Sequence, residues 1–233
     1  MKNVAIIQAR MGATRLPGKV LMPLGDSCVL DYVVSRCKAI AGMAEVVVAT
    51  TIKQRDDVIA QWCERQGVPV YRGEEDDVLS RFLGAAAAHK ADYILRVTAD
   101  NPYFEYRLVS EFLAAAADGQ ADLITTEKGL PVGGAVELVS YEALQRMGAV
   151  AKETRHREHV TLYAYEHPEQ FQIVSVAVTT PLRQPHLRIT LDTEADYARL
   201  QAVAAAVSPS KTVPTEEVIA YLLQQPEKLS QNK

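Results

Sequence analysis

The sequence predicts an α/β fold: a three-layer α/β/α domain with a doubly wound, mostly parallel sheet. Short apolar runs alternate along the chain with longer segments of helical periodicity. The runs are apolar nearly throughout, which is typical of parallel strands that helices cover on both faces. The segments between them are long enough to form right-handed helical crossovers. With 233 residues, of which 48% are hydrophobic, the chain can bury a full core.

Four strand–helix units are predicted in the first half. The strands lie at residues 4–8, 45–50, 68–71 and 93–98, and the helices that follow them lie at 30–40, 56–66, 77–89 and 106–117. The pattern is less regular after residue 122. There we predict strands at 123–125, 135–139, 171–178 and 187–191, and helices at 141–148, 158–167, 194–207 and 215–223.

The composition disfavours several classes of protein. A formal net charge of −4 and a pI near 5.8 argue against a nucleic-acid or membrane-surface binder, because such proteins usually carry a basic excess. No apolar run approaches the length of a membrane span and the first residues do not resemble a signal peptide, so we expect a cytoplasmic protein. Cys28, Cys37 and Cys63 lie in apparently helical stretches without paired spacing, which predicts reduced, mostly buried thiols.

A basic loop with two glycines follows the first predicted strand. Residues 8–19 read Q-A-R-M-G-A-T-R-L-P-G-K and hold three cations and two glycines: Arg10, Arg15, Lys19, Gly12 and Gly18. Glycines let backbone N–H groups approach a ligand and the cations can neutralise a polyanion, so the loop suits a triphosphate; the alternative is a basic surface turn. Five residues separate the glycines and Val20 follows Lys19, so this is not a Walker A loop, and the G-x-G-x-x-G pattern is absent as well.

Two aspartates follow predicted strands that are far apart in the chain. Asp100 comes after the strand at 93–98, and Asp192 comes after the strand at 187–191. Carboxylates at such strand ends face the ligand crevice of an open α/β sheet, and Mg²⁺ that bridges phosphates takes one or two of them. Asp100 could instead start the Asn-Pro turn that follows it, and Asp192 could begin the next helix with Thr193 and Asp196.

Four segments of the chain resemble a known family. They read I-I-Q-A-R-M-G-A-T-R-L-P-G-K at 6–19, Y-R-G-E-E-D-D-V-L-S-R at 71–81, R-V-T-A-D-N-P at 96–102 and R-I-T-L-D-T-E-A-D-Y at 188–197. These segments resemble the cytidylyltransferases that activate sialic-acid-like and 3-deoxy-octulosonate sugars, and most closely the branch of the spore coat polysaccharide biosynthesis protein F (SpsF). The resemblance runs at least from residue 4 to residue 200. It implies a GT-A-like nucleotide-diphospho-sugar transferase fold, with a small extension for the acceptor or for dimerisation.

We therefore expect one nucleotidyltransferase domain over residues 1–225. Residues 1–120 would form the nucleotide-binding half, and residues 121–225 would bind the acceptor and contact a second subunit of a homodimer. Residues 226–233 are polar and are expected to be a frayed tail.

The expected nucleotide site combines the basic loop with small residues at strand ends, which leave room for a pyrimidine, and with the second matching segment. Its members are Ala9, Arg10, Gly12, Arg15, Gly18, Lys19, Ala49, Thr50, Arg72, Ser80, Arg81 and Thr98. Arg81 could instead be an exposed helix residue paired with Asp77. The resemblance also implies acceptor contacts from Glu137, Arg157 and His159, for which the alternative is a solvated helix or a dimer contact.

The resemblance implies that a sugar hydroxyl attacks the α-phosphate of CTP, so that pyrophosphate leaves and a CMP-sugar forms for a cell-surface or spore-coat polysaccharide. Arg15, Lys19 and Asp100 would be catalytic, and Asp100 and Asp192 would hold Mg²⁺. The expected acceptor is a sialic-acid-like ulosonic acid. Two alternatives stay open: a glycosyltransferase of the same fold that uses a nucleotide sugar, and a catalytically silent nucleotide-binding partner subunit.

Overall fold

The structure, a computed structural model, describes residues 1–225 of the chain. In chain order its strands are β1 (Asn3–Gln8), β2 (Pro23–Leu24), β3 (Ser27–Cys28), β4 (Glu45–Thr51), β5 (Val70–Gly73), β6 (Tyr93–Thr98), β7 (Leu123–Thr126), β8 (Glu137–Ser140) and β9 (Ile173–Val176). Seven of them form one sheet in the order β5-β4-β1-β6-β8-β7-β9, while β2 and β3 form a hairpin. β8 runs antiparallel to both neighbours and the other neighbouring pairs are parallel. The predicted α/β fold with a mostly parallel sheet is therefore confirmed.

Helices cover both faces of this sheet. They are α1 (Val29–Lys38), α2 (Asp57–Arg65), α3 (Val78–Ala88), α4 (Val109–Ala115), α5 (Tyr141–Val150), α6 (Thr154–Glu158), α7 (Leu162–Glu166), α8 (Glu194–Ala206) and α9 (Thr215–Leu223). The strand predicted at 93–98 and the helix predicted at 215–223 have the predicted bounds. Most other boundaries differ from the predicted ones by a few residues.

The alternation of side chains along β1 explains why helices lie on both faces. Val4 and Ile6 point to one face, whereas Ala5 and Ile7 point to the other, and all four are fully buried. The core cluster on the first face contains residues of α3 and α5, and the cluster on the second face contains residues of α1, α2 and α4. A third cluster packs α8 and α9 against the start of α1. Because both faces are buried, the four central residues of the strand, 4–7, are all apolar.

The strand predicted at residues 187–191 does not form. The segment makes only an isolated bridge, between Val132 and Arg188. Its alternating apolar side chains, Leu187, Ile189 and Leu191, are fully buried in the cluster of α8 and α9. The alternation therefore reflects one buried side of an extended segment, and the sequence pattern alone could not distinguish that from a paired strand.

Two further predictions of local structure are wrong. The helix predicted at 158–167 is interrupted, because His159 has a non-helical backbone (φ −100°, ψ 42°), so that α6 ends before it and α7 begins at Leu162. Cys28 lies in β3 rather than in a helix, because the P-L-G-D-S-C segment turns at Gly25, whose φ of 56° favours glycine. That hairpin was not predicted.

The cysteines are free thiols, as predicted. Burial raises the pKa of Cys63 to about 12 and also raises the pKa values of Cys37 and Cys28. The thiols therefore stay protonated at neutral pH, which makes them weak nucleophiles. Within residues 1–225, no helix combines the length and the apolar character that a bilayer crossing requires. The predicted frayed tail lies outside the described residues.

The carboxyl ends of β1, β4 and β6 meet at one edge of the sheet. Gln8, the last residue of β1, is paired with Ala49 on one side and with Thr98 on the other. The loop that follows β1 and the turn that follows β6 therefore leave the sheet side by side. This register brings the basic loop next to the turn that carries Asp100.

Candidate active site

The basic loop after β1 is closed by backbone and side-chain hydrogen bonds. The N–H of Gly18 donates to the carbonyl of Met11 at 2.9 Å, and Gly18 has a φ of 75°, which favours glycine. The N–H of Met11 donates to the Asp56 carboxylate at 2.7 Å, and Asp56 is fully buried. A carbon atom added at Gly12 would lie 2.7 Å from the Arg55 guanidinium, so the glycine lets Arg55 pack on the loop. The loop is thus fixed from the connection between β4 and α2.

Lys19 joins the two candidate metal carboxylates. Its ammonium nitrogen lies 2.6 Å from Asp100 Oδ2 and 3.0 Å from Asp192 Oδ1, and it also donates to the carbonyl of Leu191 at 2.6 Å. The N–H of Leu191 in turn donates to the carbonyl of Asp100 at 2.8 Å. Residues separated by 92 positions in the sequence therefore converge on one cation.

The side chain of Asp192 faces this cluster because its neighbours take over the start of α8. Thr193 caps the helix, and its side chain and that of Asp196 form a reciprocal capping box. The carboxylate of Asp192 is left to pair with Arg15 at 3.2 Å and with Arg188 at 3.2 Å, besides Lys19. The segment is therefore a helix start, as the alternative expected, but Thr193 and Asp196 form the cap and the Asp192 side chain faces the cluster.

Asp100 follows β6 directly. Its carboxylate contacts Lys19, whereas the Asn101 side chain makes the local bond, donating to the hydroxyl of Thr98 at 2.6 Å. The residue that supports the turn is therefore Asn101, and Asp100 is oriented toward the basic loop. An aspartate that only started the turn would not make this contact.

A cleft of about 470 Å³ opens beside the cluster. Nine of the residues expected in the site line it: Ala9, Arg10, Arg15, Lys19, Arg81, Thr98, Asp100, His159 and Asp192. Eight others do not line it: Gly12, Gly18, Ala49, Thr50, Arg72, Ser80, Glu137 and Arg157. The roles of all these residues remain predictions, and the positions show which of them can touch a ligand directly.

One wall of the cleft is cationic. Arg81 is 2% exposed and its Nη1 donates to the carbonyl of Glu74 at 2.7 Å, so it is not an exposed residue paired with Asp77. Burial lowers the pKa of Arg81, and the nearby Arg10 lowers it further. Arg10 also pairs with Glu75 at 3.6 Å. An anion bound between the two arginines would relieve their repulsion.

Several expected residues have structural contacts away from the cleft. Arg72 donates to the carbonyl of Thr51 at 2.8 Å and pairs with Asp57 at 2.7 Å, beside the outer strand β5. Arg157 pairs with Asp77 through Nε at 2.9 Å and through Nη2. Both arginines are therefore paired with acids, and neither lines the cleft.

The cleft also contains residues that the sequence analysis missed. They include Gln8, Glu75, Asp76, Arg96, Thr154 and Glu158. One of them had a recognisable signal. Arg96 is the single charged residue of β6, which reads Y-I-L-R-V-T, and a charge within a buried strand needs a partner or a function.

Comparison with known proteins identifies the family. The family model described as Cytidylyltransferase matches residues 4–232. The chain belongs to this family. It is 36% identical over 227 residues to the spore coat polysaccharide biosynthesis protein SpsF of Bacillus subtilis (strain 168), covering 95% of this chain and 94% of that protein. The expected resemblance, and with it a nucleotidyltransferase activity, is confirmed.

Solved structures show the same fold. A cytidylyltransferase from Leptospira borgpetersenii superposes with a TM-score of 0.91 at 28% identity, covering 100% of this chain and 98% of that one. A CMP:2-keto-3-deoxy-manno-octonic acid synthetase in complex with CTP superposes with a TM-score of 0.66 at 18% identity, covering 88% of this chain and 99% of that one. Cytidylyltransferases thus share this sheet and its helices, as expected from the sequence.

In this cytidylyltransferase, the carboxylate oxygens of Asp100 and Asp192 beside Lys19 are suitable ligands for a hard divalent cation. Within residues 1–225 no group of three or more His, Cys, Asp or Glu side chains could hold a metal by itself. The two carboxylates on Lys19 supply oxygen ligands, and Mg²⁺ typically takes one or two of these, with water and substrate phosphates completing its shell. Asp100 and Asp192 therefore fit a metal that arrives with a nucleotide.

Proposed function

We propose that this enzyme transfers CMP from CTP to a hydroxyl group of a sugar acid and releases pyrophosphate. The observation that carries the proposal is the contact of Lys19 with both Asp100 and Asp192 beside the basic loop. It gathers cations for the triphosphate and carboxylates for Mg²⁺ at one point. The product is a CMP-activated sugar, and the acceptor is an ulosonic acid of the sialic-acid type.

The basic loop binds and orients the triphosphate. Lys19 and Arg15 contact the β- and γ-phosphates, and Arg10 lies beside Arg81 on the wall that faces the rest of the nucleotide. Charge shifts to the pyrophosphate as its bond to the α-phosphate breaks. The cations of the loop stabilise that charge, and the loop backbone that carries them is already closed through Met11 and Gly18 before the nucleotide binds.

Asp100 and Asp192 would hold Mg²⁺, which supplies charge neutralisation at the phosphates and lowers the pKa of a bound hydroxyl. The backbone bond between Leu191 and Asp100 keeps the two carboxylates together. Asp196 orients Asp192 by accepting its backbone N–H at 3.1 Å. These residues align the acceptor hydroxyl with the α-phosphate by position, which can account for much of the rate increase.

The relatives support the substrate classes. SpsF is named for spore coat polysaccharide biosynthesis, and the octonic acid synthetase was solved with CTP. We infer from SpsF that this enzyme acts in the synthesis of a surface or spore-coat polysaccharide. We also propose, from the sequence resemblance, that it is a cytoplasmic homodimer. Light scattering of the purified protein tests the dimer, and a mass near 25.6 kDa would contradict it.

Pyrophosphate release tests the activity. Each of the four nucleoside triphosphates is supplied with Mg²⁺ and a panel of sugar acids, and an Asp100→Asn variant is the matched control. We expect pyrophosphate from CTP with a sugar acid, and a loss of about 10²-fold or more in the variant. Release of a nucleoside diphosphate from a nucleotide sugar would indicate a glycosyltransferase. Binding of CTP without turnover on any acceptor would indicate a silent subunit.

A further inference from the structure

The unexpected cation of the cleft, Arg96, lies on the same face of β6 as the catalytic cluster. Alternate residues of a strand share a face, so the side chains of Arg96 and Thr98 lie on the same side of β6. Asp100 follows in the turn after the strand, and all three residues line the cleft.

The carboxylate of Glu137 already accepts hydrogen bonds from three protein side chains. It is the register partner of Arg96 across the antiparallel pair of β6 and β8. Its Oε2 accepts from Arg96 Nη1 and from the hydroxyl of Thr161, each at 2.8 Å, and its Oε1 accepts from the hydroxyl of Tyr165 at 2.7 Å. Three donors hold an acid whose side chain is 13% exposed. This arrangement fixes the position of the acid and, through it, the guanidinium.

Arg96 keeps hydrogen-bonding capacity that its own protein neighbours do not use. A guanidinium has five N–H donors. Among the described residues, the hydrogen bond from Arg96 goes to Glu137 alone, and the buried Nε has no partner. Arg157 differs: its Nε and Nη2 donate to Asp77 and its Nη1 donates to the carbonyl of Gly148. Of the two arginines, Arg96 is the one that lines the cleft with donors to spare.

We propose that Arg96 binds the carboxylate of the acceptor sugar and determines the preference of the enzyme for acidic acceptors. Glu137, Thr161 and Tyr165 are positioning residues that hold the guanidinium. Planar guanidinium groups bind carboxylates through two parallel hydrogen bonds, which fixes the orientation of the ligand as well as its charge. In an ulosonic acid the carboxylate and the attacking anomeric hydroxyl are on adjacent carbons, so a carboxylate held by Arg96 would bring that hydroxyl into the cleft that Asp100 also lines. This inference rests on the proposed function and adds its specificity-determining residue.

The first test compares acids with their uncharged analogues on the wild-type enzyme. The probes are N-acetylneuraminic acid, 3-deoxy-octulosonic acid and the C1 methyl ester of each, titrated by calorimetry in the presence of CMP. We expect at least one acid to bind about 10- to 100-fold more tightly than its ester, since the ester lacks the charge that the guanidinium recognises. Equal binding of acids and esters would overturn the proposal.

The second test uses Arg96→Met and Arg96→Lys, with Arg146→Met as the control. Arg146 also pairs with an acid, Asp122, and it does not line the cleft. In Arg96→Met we expect binding of the preferred acid to weaken about 10- to 100-fold, whereas binding of its ester and of CTP stays at the wild-type value. Arg96→Lys keeps the positive charge but not the two parallel donors of the guanidinium, so its affinity for the acid should fall by less than that of Arg96→Met. Arg146→Met should match the wild type in all three titrations.

The outcomes separate this inference from the proposed function. If acids bind through Arg96 but no pyrophosphate is released, the inference stands and the proposed reaction is wrong. If pyrophosphate is released and Arg96→Met weakens acid, ester and CTP alike, Arg96 is a structural residue and the inference is wrong. Should Arg96→Met not fold, the wild-type comparison of acid with ester and the Arg96→Lys variant decide the question.

Discussion

The proposed nucleotide half, residues 1–120, and the proposed acceptor half, residues 121–225, contribute to the site in different ways. In the first, the basic loop, the Asp100 turn and the connection after β4 all begin at adjacent strand ends, so the register of a parallel sheet brings them together. The second supplies side chains of β8, of α7 and of the segment before α7, and these hold Arg96 of β6. The first arrangement follows from short motifs at predictable places. The second depends on tertiary contacts between segments whose spacing carries no signal.

The largest expected effect comes from variants at the contact between Lys19 and Asp100 in the nucleotide half. Lys19→Ala and Asp100→Ala should each lower kcat about 10²-fold or more, because Lys19 supplies positive charge to the reacting phosphates and Asp100 would hold the Mg²⁺ that neutralises them. Pyrophosphate release with CTP and the acceptor measures this. Lys2→Ala is the control, since Lys2 pairs with Glu45 at 3.0 Å and does not line the cleft. Near-wild-type rates in both active-site variants would remove the proposed mechanism.

Gly133 packs against the two segments that carry Asp100 and Asp192, so Gly133→Ala should lower both stability and activity. Gly133 has a φ of 87°, and an added carbon would lie 2.7 Å from Thr190 Cβ and 2.8 Å from Asn101 Oδ1. Gly119→Ala is the matched control, because Gly119 has a φ of 71° and nothing within 4 Å. The control should lose about 1–2 kcal/mol from its backbone alone. Chemical denaturation should show a larger loss for Gly133→Ala, and equal losses would mean that the neighbours yield freely.

The next prediction tests whether the two proposed halves bind CTP and the acceptor separately. Arg81→Met should raise the KM for CTP about 10-fold, because it removes the buried cation that supports the cationic wall, and should leave the KM for the acceptor unchanged. Arg65→Met, at the exposed end of α2, serves as the control. A variant of Arg81 that changed the KM for the acceptor alone would contradict this assignment of the two halves.

The smallest expected effect concerns the start of α8 and depends on pH. Although burial acts to raise the pKa of Asp196, hydrogen bonds from Arg199 and Thr193 outweigh it and hold that pKa below its ordinary value. A carboxylate with a lowered pKa stabilises the fold above the ordinary aspartate pKa of about 3.9 and loses this contribution as the pH falls through its folded value. We expect Asp196→Asn to lower the free energy of unfolding by about 1–3 kcal/mol at pH 7, and Tm with it. At pH 3 both decreases should be smaller.

Measuring Tm against pH for the wild type and Asp196→Asn checks the sign. The two curves should approach each other on acidification. If the difference in Tm stayed constant down to pH 3, Asp196 would stabilise α8 through packing and uncharged hydrogen bonds rather than through its charge.

Much of the nucleotide half could be predicted from the sequence because its signals are local. An apolar run, a glycine loop and an aspartate after a strand can each be recognised from a few residues, and both bounds of β6 were predicted correctly. The hydrogen-bond partners of these residues could not be predicted from the sequence. Nothing near Asp56 in the sequence indicates that its carboxylate binds the N–H of Met11. Similarly, the alternation at 187–191 could not reveal that its apolar side chains pack on α8 and α9 instead of joining the sheet.

The central claim is that the basic loop and the two distant aspartates form one site for a metal–nucleotide complex. Calorimetric titration of CTP with Mg²⁺ and with EDTA, on the wild type, Asp100→Asn and Asp192→Asn, tests it most directly. We predict that Mg²⁺ tightens CTP binding to the wild type and that each variant loses this gain while keeping the metal-free affinity of the loop. Equal CTP affinity with and without Mg²⁺ in the wild type, or an undiminished gain in both variants, would contradict the claim.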